Sequence, residues 1–338
     1  MGSPEVAAMA PYGVLIVGCG KIAGGFDESR AAGEPPFTHA GAFRQHPGFR
    51  LSACVEPDPL RRREFMQRWS IPAGFSTIAE LQAAGLRPAV VSICSPTDSH
   101  AADLEAAVAL RPSLIFCEKP VTPSLAATHK LVGTCEQAGI HLAVNYTRRW
   151  APDVIRLKTE LEGGHWGAVR GFAGLYNKGV LNNGGHMVDL VRYLAGPLDV
   201  IGATDAVHDF FAHDPTATAL LRSREGVPVS LTGGHAADYS VFELQVIAEN
   251  GLLVMENGGM NWRLRKPTDS PHFTGYRSLG RATEVEGLYG RAMAAAVENL
   301  HAALTTGAPL LSTGRTAIET QAVCERILHL AAAPRGDA

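Results

Sequence analysis

The chain has 338 residues, 46% of them hydrophobic, and a formal net charge of −3. That length and apolar content suit two buried cores more readily than one or four. With no basic stripe beyond Arg61, Arg62 and Arg63, the composition argues against nucleic acid as a partner. The strand-length apolar runs likewise argue against a membrane.

In chain order, the first predicted element is a strand through Val14, Leu15, Ile16 and Val17. This unbroken apolar run is expected of a parallel strand buried on both faces. Gly18, Gly20 and Ala23 follow as G-x-G-x-x-A, with Lys21 and Ile22 inside the turn. The first glycine allows the tight turn, the second lets the backbone approach a pyrophosphate, and the small alanine lets the next helix lie close. That helix is expected to point its N-terminus at the phosphates. Residues 24–39 form a long connection before a helix from about Ala40, read as a surface insertion that is either a lid or a tolerated loop. The run FRLSACVE, Phe49 to Glu56, ends in a carboxylate placed to accept ribose hydroxyls. Because Glu56 would repel a 2′-phosphate, NAD is the predicted cofactor. The nearby arginines 61 to 63 leave NADP open.

Further strands, AVVSICS, SLIFCEKP and HLAVNY, alternate with helices from Pro59 to about Trp69, from about Ser99 and from Ser124. The pattern is that of a doubly wound parallel sheet. Its carboxyl rim is expected to carry the glycine turn, Glu56, the Ser95-Pro96-Thr97 turn with His100 beyond it, and Glu118-Lys119-Pro120. After about Tyr146 the pattern changes to alternating strands: GAVRGFAGLYN, DVIGATDAV, TATALLRS, VPVSLTGG, FELQVIAE and LLVMENG. These predict a largely antiparallel, open-faced sheet, with Asn250-Gly251 as the clearest hairpin turn. Helices over Tyr289–Leu304 and Thr316–Leu330 close the chain. The predicted organisation is a Rossmann dinucleotide-binding domain over 1–147 and an α+β domain over 148–338. The second domain would bind substrate and, through its sheet, a second copy of the chain in a dimer or tetramer.

The segments GCGKIA, VEPDP, SPTDSHAA, EKPVTPSLAA and GGHMVDLVRYLAG resemble the glucose-fructose oxidoreductase, inositol dehydrogenase and MocA (Gfo/Idh/MocA) family, most strongly from Val14 to Gly196. The resemblance implies a nicotinamide-dependent dehydrogenase or reductase acting on a sugar, nucleotide sugar or cyclitol. It also implies that Lys119 is the family's lysine and that His186 is the histidine approaching the substrate hydroxyl.

Hydride exchange with a carbinol carbon leaves a hydroxyl proton to be moved, so the site needs an acid/base. Lys119, at a strand end between Glu118 and Pro120, suits that role: a partly desolvated amine titrates nearer neutrality, and its ammonium stabilises alkoxide character. His186, at the start of a helix with Asp189 one turn on, is the assisting candidate, and Asp189 is read as a cap or a partner of Arg192. The family commonly has an aspartate four residues before this histidine, where the chain has Asn182, an amide that cannot raise histidine basicity by charge. Tyr146, Arg148, Arg149 and Trp150 are candidate substrate contacts, with structural ion pairing as the competing reading. Lys178, Asn182 and Asn183 complete the substrate set, Lys178 as an anion contact. An alternative is a non-catalytic sensor on the same fold. Six cysteines without C-x-x-C read as buried reduced thiols. Thirteen histidines without ligand spacing predict no metal site. The leading MGSPEVAAMAPYG lacks secretion-signal features, which makes the cytoplasm the expected location.

Overall fold

The computed structural model describes residues 10–31, 33–204 and 206–332, so most of the leading segment read for a secretion signal lies outside the described residues. The chain divides into two compact units. The first takes in the described residues up to Asn145 together with Met293–Gly314; the second takes in Tyr146–Ala292 and the described residues from Arg315.

The first unit is built on six parallel strands, β1 (Tyr12–Val17), β2 (Phe49–Val55), β3 (Gly74–Phe75), β4 (Val90–Ile93), β5 (Leu114–Cys117) and β6 (His141–Val144), in the order β3-β2-β1-β4-β5-β6. This is the doubly wound order in which the sequence of strands reverses between β1 and β4 while all six stay parallel. Val14 through Ile16 and every residue of β4 and β5 are buried, as a parallel sheet covered on both faces requires. Helices α1 (His39–Gln45), α2 (Pro59–Trp69), α3 (Ile78–Ala83), α4 (His100–Ala109) and α5 (Leu125–Gln137) fill the connections. Three of them open on side-chain caps, from Thr38, Asp58 and Thr77. The two-residue β3 and the six-residue α3 were not read from sequence; both are too short to show a periodicity.

The second unit contains α6 (Pro152–Glu162), β7 (Val169–Tyr176), α7 (Gly185–Ala195), β8 (Leu198–Ala203), β9 (Val207–Phe211), β10 (Asp214–Thr216), β11 (Ala219–Ser223), β12 (Pro228–Gly233), β13 (Phe242–Ala248), β14 (Gly251–Glu256), β15 (Asn261–Arg265), β16 (Pro267–Asp269), β17 (Arg277–Leu279) and β18 (Thr283–Glu286). Eight of these strands form one sheet, β18-β15-β14-β13-β7-β12-β11-β8, and the pairs β9–β10 and β16–β17 stand as separate hairpins. All neighbours in the large sheet are antiparallel except β12 and β7, so it is mixed rather than purely antiparallel. One face packs into a core with Phe172, Tyr176, Leu244, Val246, Met255 and the α7 residues Met187, Val188 and Val191.

The β13–β14 hairpin differs by one residue from the expected turn. Ala248 pairs with Gly251, which puts Glu249 and Asn250 in the turn and Gly251 on the strand. A Cβ on Gly251 would meet the Arg265 carbonyl at 2.8 Å and the Trp166 ring at 2.9 Å, so this glycine answers a close approach rather than a turn dihedral.

Two helices complete the chain, α8 (Ala292–Thr306) and α9 (Gly314–Ala331). From α8 the chain returns to the first unit. Thr313 bridges Ala143, and Ser312 donates its hydroxyl to the Val144 carbonyl at 2.6 Å. A single cut after residue 147 misses this return, because the late segment that edges β6 bears no local mark of its distant partner. Among the described residues no helix is long and apolar enough to cross a membrane.

Candidate functional site

In the first unit the strand ends bring the expected rim together. Gly18 has φ +82°, and a Cβ there would lie 2.6 Å from the Ser95 backbone, so the turns after β1 and β4 touch only because residue 18 is glycine. Gly20 is different: an added Cβ would meet nothing within 4 Å. Protein packing does not demand a glycine at 20, whereas a pyrophosphate lying on its backbone does. Beside the turn is a cavity of about 390 Å³ lined by Cys19, Glu28, Arg61, Phe65 and Trp69 among others, within the size range of small-molecule sites.

Glu56 is buried and already oriented. One carboxylate oxygen accepts from the Cys19 N–H at 3.0 Å; the other accepts from the Asp58 N–H at 3.1 Å and lies 3.5 Å from the Arg61 guanidinium. The residues therefore fit a dinucleotide. Gly18, Gly20, Lys21, Ile22 and Ala23 would hold the phosphates and Glu56 a ribose diol.

The helix expected from about Ala40 begins at His39, and a first helical turn precedes the long connection. Gly24 and Phe26 donate to the carbonyls of Gly20 and Lys21, making one turn, and a short 3-10 segment covers Gly25–Asp27. α1 then resumes with His39 and Ala40 donating to the carbonyls of Ile22 and Ala23. The insertion is thus looped out of a helix whose two parts are rejoined by hydrogen bonds. Asp27, buried, ties the loop's ends: its carboxylate accepts from the Phe37 N–H at 2.9 Å and from the Thr38 N–H at 3.0 Å and hydroxyl at 2.5 Å.

His100 was expected at the cofactor, but its ring is buried. Nδ1 lies 2.9 Å from the Pro120 carbonyl and Nε2 2.9 Å from that of Ser95, so the ring ties the β4 turn to the lysine turn. Ser95 in turn donates its hydroxyl to Asp103 at 2.5 Å. Beyond β5, Glu118 and half-buried Lys119 lead into a cis Lys119–Pro120 bond. Behind them is a cluster that sequence reasoning missed. His39 is fully buried, with Nδ1 2.7 Å from the Ser92 hydroxyl and Nε2 2.9 Å from the Glu118 carboxylate. The Asn145 amide donates to the same Glu118 oxygen at 2.6 Å. Burial works against charge on His39, but the Cys94 thiol and the Glu118 carboxylate outweigh it and push the imidazole up to about 10. Glu118 is likewise penalised by burial, yet His39, Asn145 and Lys119 hold it below the ordinary carboxylate range.

In the second unit two of the expected substrate contacts are committed elsewhere. Arg149 makes a two-pronged, buried pair with Asp189, Nε to Oδ2 at 2.8 Å and Nη2 to Oδ1 at 2.9 Å. Burial opposes its charge, but Asp189 raises it. The expected Asp189–Arg192 pairing is therefore not the one formed; Arg192 reaches Glu319 and Thr320 on α9 instead. Arg148 donates from Nε to the Gly258 carbonyl at 3.1 Å and stacks 3.7 Å over Phe242. Trp150 is fully buried and offers no face to a sugar. Tyr146, also buried, meets His186 edge-on at 5.8 Å between ring centres, and burial pushes its phenol well up.

Lys178, Asn182, Asn183 and His186 remain partly exposed around a π-helical turn, Gly179–Gly184. Two carboxylates from the β9–β10 hairpin region hold that turn. Asp209 accepts from the Lys178 N–H at 3.0 Å, and buried Asp214 accepts from the N–H groups of Leu181 and Asn182, each at 2.8 Å. The Asn182 side chain donates to the Lys178 carbonyl at 3.1 Å. The Lys178 ammonium sits 5.3 Å over the Phe210 ring. Asp209 and Asp214 were missed because their partners are 31 to 33 residues away.

All six cysteines are free and buried. Among the described residues one group, His46, Glu298 and His301, has ligand-like spacing. His46 Nδ1 accepts from the Gly48 N–H at 3.0 Å and Nε2 lies 3.0 Å from the Glu298 carboxylate, so both ring nitrogens already have protein partners.

The sheet order and glycine turn define a dinucleotide-binding α/β protein. Residues 12–146 match the model of the GFO_IDH_MocA oxidoreductase family, NAD-binding Rossmann fold. It is 27% identical over 207 residues to D-apiose dehydrogenase of Paraburkholderia graminis, covering 56% of this chain and 55% of that protein. The chain thus spans little more than half the length of that relative. Over 328 residues it is 23% identical to inositol 2-dehydrogenase of Rhizobium meliloti, covering 90% and 96%. An oxidoreductase of Agrobacterium radiobacter, crystallised with NAD+, L-tartaric acid and magnesium, shares the fold at 20% identity, covering 96% and 97%, with a TM-score of 0.73.

Proposed function

We propose that the chain is an NAD-dependent oxidoreductase that moves a hydride between nicotinamide and a secondary alcohol or ketone of a sugar, nucleotide sugar or cyclitol. The observation that carries this reading is Lys119, presented beyond β5 in the same unit as an oriented Glu56 and a Gly20 whose side-chain position opens on empty space. When bound, NAD supplies the hydride acceptor. Lys119 as the free amine takes the hydroxyl proton while the carbinol carbon loses its hydride, and as ammonium it returns that proton in the reduction. The second unit offers His186 as the assisting hydrogen-bonding group, and Asn182, Asn183 and Lys178 as contacts for hydroxyls or an anionic group. Glu56 favours NAD by repelling a 2′-phosphate, and the exposed Arg61 guanidinium, 3.5 Å from that carboxylate, keeps NADP as the alternative.

We further propose a homo-oligomer through the outward sheet face, where Ile201, Leu220 and Ile247 are exposed beside inward-facing neighbours. Light scattering on the purified chain checks this.

The functional test is NADH absorbance with NAD and a panel of D-apiose, myo-inositol, tartrate and UDP-sugars. Turnover on one class, lost in Lys119→Met, is the expected result. NAD binding with no turnover on any class would favour a sensor.

A further inference from the structure

His39, Ser92, Glu118 and Asn145 meet in the interior of the first unit, and their arrangement joins two parts of the proposed chemistry. The backbone of His39 is bonded to the Ile22 carbonyl of the cofactor turn, while its ring reaches Glu118, the residue before Lys119. Glu118 also accepts from the Lys119 backbone N–H at 3.2 Å through its second oxygen, so one carboxylate serves both neighbours. An ionised carboxylate in a site this buried survives only with a counter-charge and hydrogen-bond donors. His39 and Lys119 are cations that act on it in this unit, and Asn145 supplies a neutral donor.

We infer that the His39–Glu118 pair sets the protonation of Lys119: the imidazolium satisfies the Glu118 carboxylate, which leaves the lysine free to cycle between ammonium and amine. His39 is thus a positioning residue, acting through Glu118. Its ring contacts stay within this cluster: the Ser92 hydroxyl, the Glu118 carboxylate, the Asn145 amide nitrogen at 3.3 Å, and Phe116 at 4.5 Å between ring centres. The other titratable groups around the pair are Cys94 after β4, Cys117 at the end of β5, and His100, which bonds the Pro120 carbonyl. The catalytic meaning of the inference rests on Lys119 being the acid/base.

The pair makes opposite predictions for its two members. Removing the Glu118 charge takes a negative neighbour from Lys119 and lowers its titration midpoint. Removing the His39 charge leaves Lys119 as the main counter-ion of Glu118 and raises it. The chain has six lysines, so carbon-13 lysine labelling of the full-length protein resolves their side chains, and Lys119→Arg assigns the signal. The midpoint is expected to fall by about one pH unit in Glu118→Gln, to rise by about one in His39→Gln, and to return near its starting value in the double variant. A merely structural role would not move the two midpoints in opposite directions. An unmoved midpoint in Glu118→Gln, which is close to isosteric and keeps donors and acceptors, overturns the inference even if His39→Gln fails to fold. The unaltered protein carries its own check: nitrogen-15 shifts of the His39 ring should show both nitrogens protonated at pH 8, and a neutral ring there also overturns it. Turnover by Lys119→Met on the substrate panel separates the two readings. If that variant stays active while the midpoints move as expected, the acid/base role falls and the charge pair stands.

Discussion

The two units use their charged residues in opposite ways. In the first, Glu56 and Lys119 sit at strand ends with much of their holding supplied by backbone groups: the N–H groups of Cys19 and Asp58 on Glu56, and the bonded turn around Pro120 for the lysine. In the second, two guanidinium groups are turned inward, Arg149 against Asp189 and Arg148 against Phe242 and the Gly258 carbonyl. Residues held by backbone keep their side chains for a ligand. Residues that satisfy each other make a scaffold, and the partly exposed set around the Gly179–Gly184 turn is the one we propose for substrate.

The contrast is broken most directly at Lys119. Lys119→Met should lower kcat by about 10²–10⁴-fold, the usual worth of an acid/base, with NAD affinity within a few-fold of normal by calorimetry. In the other unit Arg149→Met should act on stability. Removing one partner of a buried pair costs roughly 3–5 kcal/mol, read as a lower urea midpoint, and restoring apolar complementarity with Arg149→Met/Asp189→Leu should recover part of it. A raised KM at unchanged stability would return Arg149 to the substrate set.

Glu56→Gln should weaken NAD by about 10–100-fold, the value of hydrogen bonds to a charged group, and narrow the preference over NADP. A more graded effect concerns pH. His39 has its pKa raised on folding, to about 10, so its contribution is complete below its unfolded value near 6.5 and fades as pH rises through about 10. Glu118 is lowered, so its contribution is present above its unfolded value near 4.5 and fades as pH falls through the depressed one. Both are in force between about pH 4.5 and 6.5. The Tm difference between the native chain and His39→Gln should therefore be widest near pH 6 and narrow toward pH 10. The smallest effect is expected of Lys178→Ala, a few-fold rise in KM confined to anionic substrates, in line with one exposed charge contact of at most about 1 kcal/mol.

Much of the first unit was legible because its chemistry follows the chain. G-x-G-x-x-A, the acid at the end of β2 and Glu118-Lys119-Pro120 are contiguous motifs at strand ends, and apolar runs mark the strands between them. What escaped was whatever depends on a distant partner. His39 meets Glu118 across 79 residues, Arg149 meets Asp189 across 40, and Arg148 meets Gly258 across 110, and no local pattern distinguishes such a residue from one facing solvent. Strand β15, Asn-Trp-Arg-Leu-Arg, has the right alternation but only five residues. Gly251 was placed in the turn because Asn-Gly is a strong turn signal, while the close approach of Arg265 and Trp166 that actually requires it lies outside any local window.

The return of Met293–Gly314 to the first unit gives the molecule an order of manufacture. A ribosome releases the glycine turn, Glu56 and Lys119 early, yet the edge of β6 stays bare until Ser312 and Thr313 emerge. The second unit waits as well, because Val323, Cys324 and Ile327 of α9, which belong to its core, emerge later still. A nascent chain stalled before residue 312 should therefore hold dinucleotide poorly, and the cofactor would act as a late clamp on synthesis rather than an early template for it.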